Sequence, residues 1–145
     1  MVFELLAVLC AGLFAGAAIY ITFVEHPARL SCGTALAVTE FGPSYRRATV
    51  MQVSLAVVGL LAAVIAFFQG RGLLVLVGGL VLVAVVPFTL IAILPTNNRL
   101  LDPDLARESP EAAALLHRWG RLHAVRSAVS ALAFAMLVVH LARSR

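Results

Sequence analysis

The residues best suited to chemistry in this chain lie on one stretch near its C-terminus. Trp119, His123, Arg126 and Ser130 fall within about a 60° arc if this stretch is helical, and His117 points the other way. An imidazole transfers protons near neutral pH, a guanidinium stays cationic and an indole offers a flat aromatic surface. The simpler interpretation is an interfacial Trp beside an Arg that extends to the lipid headgroups. His123 between them favours a site inside the protein, where ionisable groups at membrane depth usually point.

Two further polar stripes lie where the chain enters or leaves apolar runs. Thr22 and His26 are four residues apart near the end of the first run, and Tyr45, Thr49 and Gln52 follow helical spacing at the start of the second. All should reach the same side of the membrane as His123, so we expect a pocket that opens at one end of a helical bundle. A polar cluster that only locks the helix ends together is the alternative.

Asn97 follows the third apolar run on that same side of the membrane. An Asn at such a position commonly orders a turn, and it could instead donate a hydrogen bond to a substrate oxygen.

The elements that must position these residues are membrane spans. The chain of 145 residues is 62% hydrophobic and only 12% charged, with a mean hydropathy of +1.02, far from the composition of soluble proteins. We therefore predict an all-α integral membrane four-helix bundle that forms a single domain over residues 1–145. Each apolar run is long enough to cross a hydrocarbon core of about 30 Å. The predicted spans are residues 2–24, 45–68, 73–94 and 121–142.

Breakers in the sequence set the expected ends of these spans. Pro27, Gly33 and Pro43 predict a loop over residues 25–43 with a short interfacial helix inside it, and Pro95 is expected to end the third helix. Pro87 is expected to kink that third helix. Residues 109–111, Ser-Pro-Glu, form a typical helix start, so the fourth helix should begin well before its membrane span and exceed the bilayer thickness.

The basic residues predict an orientation rather than a nucleic-acid site. All eleven are Arg, scattered over loops and helix ends, which is typical of interfacial anchoring. The positive-inside rule places the first and third connections in the cytoplasm, and the expected location is the plasma membrane of a bacterium. The arginines on that side are Arg29, Arg46, Arg47, Arg99, Arg107, Arg118, Arg121 and Arg126, against Arg71, Arg143 and Arg145 on the other.

Four segments resemble a known family. They are similar to segments of the anthrone oxygenase-like membrane proteins, a family long carried as a domain of unknown function. The segments are EHP at the end of the first span, YRRA at the start of the second, PTNNRLLD after the third and RWGRLHAVRSAVS in the last. The resemblance runs along essentially the whole chain. Carried over by position, it implies functional roles for His26, Asn97, Trp119, His123 and Arg126, and for Glu25, Arg46 and Gln52. Tyr45 is predicted to contact the same substrate.

The resemblance implies an oxidation by molecular oxygen. Fungal members convert anthrones to anthraquinones, which needs a base such as His123 or His26 to remove a proton beside a carbonyl. Arg126 and Asn97 would stabilise the resulting oxyanion, and Trp119 would stack on a flat hydrophobic substrate that enters from the bilayer.

Several alternatives stay open from the sequence alone. The chain could be a non-catalytic partner subunit or a bundle that binds a small molecule or haem, whereas transport fits poorly because the third span has no charged residue. No cofactor is favoured; a haem held by His26 and His123, or a metal held by these with Glu25, remains an alternative. An oligomer is compatible with the sequence.

Overall fold

The fold is all-helical, as predicted, over residues 1–144, which are the residues that the computed structural model describes. Four helices are long and apolar enough to cross a membrane, so the protein is an integral membrane bundle. Arg145, counted above on the face with fewer arginines, lies outside the described residues. The helices are α1 (Val2–Ser31), α2 (Thr34–Phe68), α3 (Leu73–Leu100) and α4 (Pro110–Arg143).

The first connection is much shorter than the predicted loop. Residues 25–43 are helical except at Cys32 and Gly33, so the first part of this stretch prolongs α1 and the second part begins α2. Gly33 makes the break because its φ of +94° lies in the left-handed region that favours glycine. Gly70 and Gly72, with φ of +79° and +90°, similarly turn the chain between α2 and α3.

Two prolines widen their helices instead of ending them. A π-helical turn covers Ile21–Glu25 just before Pro27, and a second covers Thr89–Ile93 just before Pro95. A proline inside a helix clashes with the carbonyl four residues earlier, and in both cases that carbonyl belongs to the wider turn. The prediction that Pro95 ends the third helix was therefore wrong, since α3 continues to Leu100.

The start and the length of α4 agree with the prediction. Ser109 caps α4 through a 3.1 Å hydrogen bond that the Ala112 amide donates to its hydroxyl. With 34 residues, α4 is about 51 Å long, which exceeds the thickness of the hydrocarbon core. Regular helical structure in α3 is interrupted at Ala84, three residues before Pro87.

The long third connection is held by one arginine. Arg99 Nη1 lies 2.5 Å from Asp102 Oδ2, and Arg99 Nε lies 2.7 Å from Glu111 Oε1 at the start of α4. The Asp104 amide and then the Arg99 guanidinium hold the pKa of the Asp102 carboxyl below its ordinary value. These contacts tie the end of α3 to the start of α4.

The opposite end of the bundle has its own buried polar contact. His140 Nε2 lies 2.9 Å from Glu4 Oε1, and Arg71 Nε lies 3.5 Å from Glu4 Oε2. His140 thus joins the C-terminal end of α4 to the N-terminal end of α1, far from His123 along α4.

Small residues let the helices approach closely in the half of the bundle that contains the α2–α3 turn. A Cβ added at Gly79 of α3 would lie 2.5 Å from the Ala63 Cβ of α2. A Cβ at Gly78 would lie 2.7 Å from Leu137 of α4. The apolar core here consists largely of alanines, so van der Waals contact between backbones stabilises this half.

This close approach predicts a stability difference between two glycine substitutions. Gly79→Ala should lower the unfolding free energy by about 1–3 kcal/mol, because α2 and α3 must separate to admit the methyl group. Gly16→Ala is the matched control, since a Cβ there meets nothing within 4 Å. Thermal unfolding in detergent measures both, and equal midpoints for the two variants would contradict the tight α2–α3 contact.

Candidate functional site

Polar residues from all four helices meet inside the bundle near the first and third connections. The structure thus brings together the three predicted stripes and the Asn97 segment. The buried polar side chains at this end are His26, Arg29, Gln52, Thr96, Asn97, His123, Ser127 and Ser130.

Trp119 contacts both His26 and His123. Its ring is stacked on His123 with centroids 4.6 Å apart, and His26 packs on it at 5.0 Å. His26 also lies against Gly120, where an added Cβ would come within 2.7 Å of the His26 Nε2. Glycine at position 120 is therefore required for this imidazole to reach the indole.

A chain of hydroxyl groups holds His123. Its Nδ1 lies 3.0 Å from Thr22 Oγ1, which lies 2.8 Å from Ser127 Oγ. Ser127 Oγ donates to the carbonyl of Ala18 at 2.9 Å or of His123 at 3.1 Å. The chain connects α1 to α4 and fixes the orientation of the His123 ring.

Arg126 and Gln52 form a second pair. The Arg126 guanidinium donates to Gln52 Oε1 at 2.5 Å and lies 5.2 Å above the Phe14 ring. Arg126 Nε and Gln52 Nε2 are buried and have no hydrogen-bond partner among the described residues. Buried polar atoms are normally paired, so these donors are available to a ligand or to water.

Asn97 and Thr96 present further free polar atoms. Both are almost completely buried, and neither amide atom of Asn97 nor the Thr96 hydroxyl has a partner among the described residues. The π-helical turn at Thr89–Ile93 and the helical continuation through Pro95 place these residues in the bundle rather than in a loop.

Arg29, which the sequence indicated only as a topology signal, also lines this cluster. It is bonded to Glu25, lies with Nε 2.8 Å from Glu40 Oε2, and reaches to 5.7 Å from the Trp119 ring. Ser44 joins this group by donating to Glu25 Oε1 at 2.8 Å. The spacing of Glu25 and Arg29, four residues apart on a helix, was the signal that could have revealed the pair.

A central cavity of about 20 Å³ lies within the cluster, which is room for about one water molecule. Its lining includes the polar side chains of Arg29, Ser44, Tyr45, Thr49, Gln52, Asn97, Trp119, His123 and Arg126. A second cavity of about 80 Å³ adjoins it, because both are lined by Tyr45, Thr49, Gln52 and Arg126.

The remaining predicted site residues lie outside this lining. Arg46 is exposed and borders none of the cavities described here, so the structure does not bring it to the cluster. Glu25 pairs with Arg29 and faces an outer groove of about 450 Å³ between α1 and α2. His26 lies behind Trp119 and does not line the central cavity.

The geometry does not suit the metal and haem alternatives. No group of three or more His, Cys, Asp or Glu side chains within residues 1–144 could hold a metal ion. Both imidazoles pack against the Trp119 ring, and the cavity of about 20 Å³ that His123 lines is far too small for a haem.

The contact between His26 and Gly120 predicts the effect of a single methyl group. Gly120→Ala should displace the His26 ring from Trp119, since the added Cβ would approach Nε2 to 2.7 Å. Trp119 is the only tryptophan, so its fluorescence spectrum reports the change directly. A spectrum identical to that of the unchanged protein would show that the imidazole does not occupy this position.

One comparison with known proteins identifies the family. A family model described as anthrone oxygenase matches residues 41–136, most of the chain, and this range contains Tyr45, Gln52, Asn97 and the α4 site residues. No curated protein and no solved structure shows significant similarity to the chain. The α1 residues Thr22, His26 and Arg29 lie outside the matched range.

The chain therefore belongs to the anthrone oxygenase family.

Proposed function

We propose that this member of the anthrone oxygenase family oxidises a lipophilic phenolic or quinoid compound with molecular oxygen, with His123 as the base. The observation that carries the proposal is that Asn97 of α3 lines the same buried cavity as His123 and Arg126 of α4. A base, a cation and an amide around one space are what enolate formation requires.

The hydroxyl chain favours a basic Nε2 on His123. If Nδ1 carries the proton and donates to Thr22, then Thr22 donates to Ser127 and Ser127 donates to a backbone carbonyl, which gives three hydrogen bonds. In the reverse arrangement Ser127 donates to Thr22 and Thr22 donates to Nδ1. This gives only two hydrogen bonds, because Ser127 then has no hydrogen left to donate to a backbone carbonyl. The first arrangement leaves the Nε2 lone pair free to accept a proton.

The reaction balances without an added reductant. Nε2 takes one proton from the substrate CH₂ group, and the resulting enolate, with its charge on oxygen, forms a carbon–oxygen bond with O₂. Protonation gives a hydroperoxide, and loss of the second carbon-bound proton together with hydroxide leaves the new carbonyl. The sum is CH₂ plus O₂ giving C=O plus H₂O, so all four electrons come from the substrate.

Arg126 and Asn97 would stabilise the enolate oxygen. Arg126 already donates one N–H to Gln52, but its Nε has no hydrogen-bond partner among the described residues. Neither the oxygen nor the nitrogen of the Asn97 amide has a partner among them. Such preorganised donors around a buried cavity stabilise developing charge strongly. We assign His26 a positioning role through Trp119, because it does not line the cavity.

The purified protein in lipid nanodiscs tests the proposal directly. With an anthrone as substrate we expect oxygen consumption well above that of empty nanodiscs, equimolar formation of the anthraquinone, and one atom from ¹⁸O₂ in the new carbonyl. Empty nanodiscs are essential because anthrones also oxidise spontaneously. Rates equal to this blank for a panel of anthrones and hydroquinones would contradict the proposed activity.

A structural role for the cluster is the competing explanation, since the Thr22–Ser127–His123 chain joins α1 to α4. Under that explanation, substitution of His123 lowers thermal stability and no oxygen-dependent reaction exists to be lost. The nanodisc assay separates the two.

A further inference from the structure

Helices α2 and α3 separate at the level of the site. They pack tightly at the Leu73–Val83 end, where Gly59 accommodates Leu82 and Gly79 lies against Ala63. Beyond this, α2 makes little contact with the Val85–Ile93 part of α3. The interruption at Ala84 and the wider turn at Thr89–Ile93 coincide with this separation.

The cavity of about 80 Å³ fills the space left between these helices, which we call the α2–α3 slot. Its outer part is apolar, with Val53 and Leu90 at 39% and 58% exposure on the surface that faces the bilayer. The apolar lining of the slot consists of Phe14, Val53, Val86, Leu90 and Leu94.

The inner end of the slot is polar, and two of its buried nitrogen atoms lack hydrogen-bond partners. Arg126 and Gln52 line both the slot and the central cavity, and each has a buried nitrogen without a hydrogen-bond acceptor. A ligand with apolar faces and one oxygen-bearing edge would match this gradient, because its edge would accept from Arg126 and Gln52 while its faces contact aliphatic side chains.

The outer groove between α1 and α2 is the other opening toward the site, and charged side chains border it. The outer groove between α1 and α2 is bordered by Glu25, Glu40 and Arg47, charged groups that an apolar molecule would have to desolvate. It adjoins the central cavity at Ile21, Ser44 and Ala48. The outer groove thus has charged side chains at its border, whereas the only charged side chain that lines the slot is Arg126 at its inner end.

We propose that the α2–α3 slot is the binding site for a flat lipophilic aromatic compound, which enters from the bilayer and places its oxygen-bearing edge against Arg126 and Gln52. This proposal rests on the proposed oxidation for the identity of the ligand. At about 80 Å³ the slot is smaller than typical ligand pockets of about 300 Å³ or more, so binding moves Leu90 and Val53 outward into lipid.

Binding of an anthraquinone, which needs no oxidation, tests the slot independently of activity. Trp119 is the only tryptophan and borders the central cavity, so quenching of its fluorescence in nanodiscs measures the dissociation constant. Val53→Phe and Leu90→Phe together should raise that constant on the order of tenfold, because the added rings fill the slot. Met51→Phe, which changes the outer groove, should alter it less than twofold.

A second variant is expected to bind more tightly, a result that misfolding could not produce. Leu90→Ala widens the mouth of the slot at an exposed position and should tighten binding of an anthraquinone that carries a bulky alkyl group. Weakened binding in Met51→Phe with unchanged binding in the slot variants would overturn the proposal. If the wild-type protein binds anthraquinones through the slot but oxidises no anthrone, the proposed function fails while the slot stands. If the wild-type protein oxidises anthrones but the slot variants bind anthraquinones with the wild-type dissociation constant, only the proposed binding site is rejected.

Discussion

Replacing His123 by alanine is expected to reduce enzymatic oxygen uptake by about 10²- to 10⁴-fold, the usual contribution of a positioned general base. No other described imidazole can substitute for it, because His26 does not line the central cavity, His117 is exposed and His140 pairs with Glu4 at the opposite end of the bundle. The measurement is the rate of anthraquinone formation in nanodiscs after subtraction of the spontaneous rate. A variant that retained the wild-type rate would exclude His123 as the base.

Thr22→Val provides the matched comparison for that result. It keeps the size of the side chain but breaks the hydroxyl chain that orients His123 Nδ1. Loss of one such hydrogen bond should lower kcat roughly tenfold while leaving the KM for the anthrone nearly unchanged. A purely structural role for Thr22 would instead lower the melting temperature without affecting kcat.

The sequence was sufficient for the architecture because hydrophobic length and caps are local signals. The four apolar runs, the Ser109 cap and the inward face of α4 with Trp119 and His123 could all be predicted from residue spacing. Helical phasing works well there because α4 has no internal irregularity.

The same reasoning failed where a proline changed the helix without ending it. Pro27 and Pro95 were interpreted as breakers, yet each follows a π-helical turn that keeps the helix continuous and changes its phase. Whether a membrane helix stops or widens at a proline depends on neighbouring helices that supply packing and hydrogen bonds. No local pattern at Pro95 carries that information.

Charge was the least transferable signal. Arg29 and Arg46 look alike in the sequence, one before and one after the first connection, but Arg29 is buried against Trp119 and Arg46 is exposed. Burial of Arg29 depends on Glu25 and on Glu40 of the next helix, a tertiary contact. A pair at helical spacing was therefore a better guide than the number of arginines.

Replacing Arg126 by glutamine should lower kcat for anthrone oxidation by about 10²- to 10³-fold, as expected for loss of a preorganised oxyanion donor. Arg126→Lys should restore only part of this rate, because an ammonium cannot donate to Gln52 Oε1 and to the substrate from a fixed fork. The substrate KM is expected to change less than kcat, since the enolate charge develops mainly in the transition state.

Two further arginine variants make this prediction specific. Arg118→Gln on the same helix removes the same charge at an exposed position and should retain the wild-type rate. Arg46→Gln tests which criterion identifies site residues better, the resemblance to the family or the structure. The resemblance predicts a loss of substrate binding, whereas the exposed position of the side chain in the structure predicts no loss. If Arg118→Gln and Arg126→Gln lost activity equally, the effect would come from net positive charge at this membrane face and not from a donor in the cavity. Selective loss in Arg126→Gln at unchanged thermal stability and KM would indicate a developing negative charge close to its guanidinium, and would thus connect the cavity geometry to enolate chemistry.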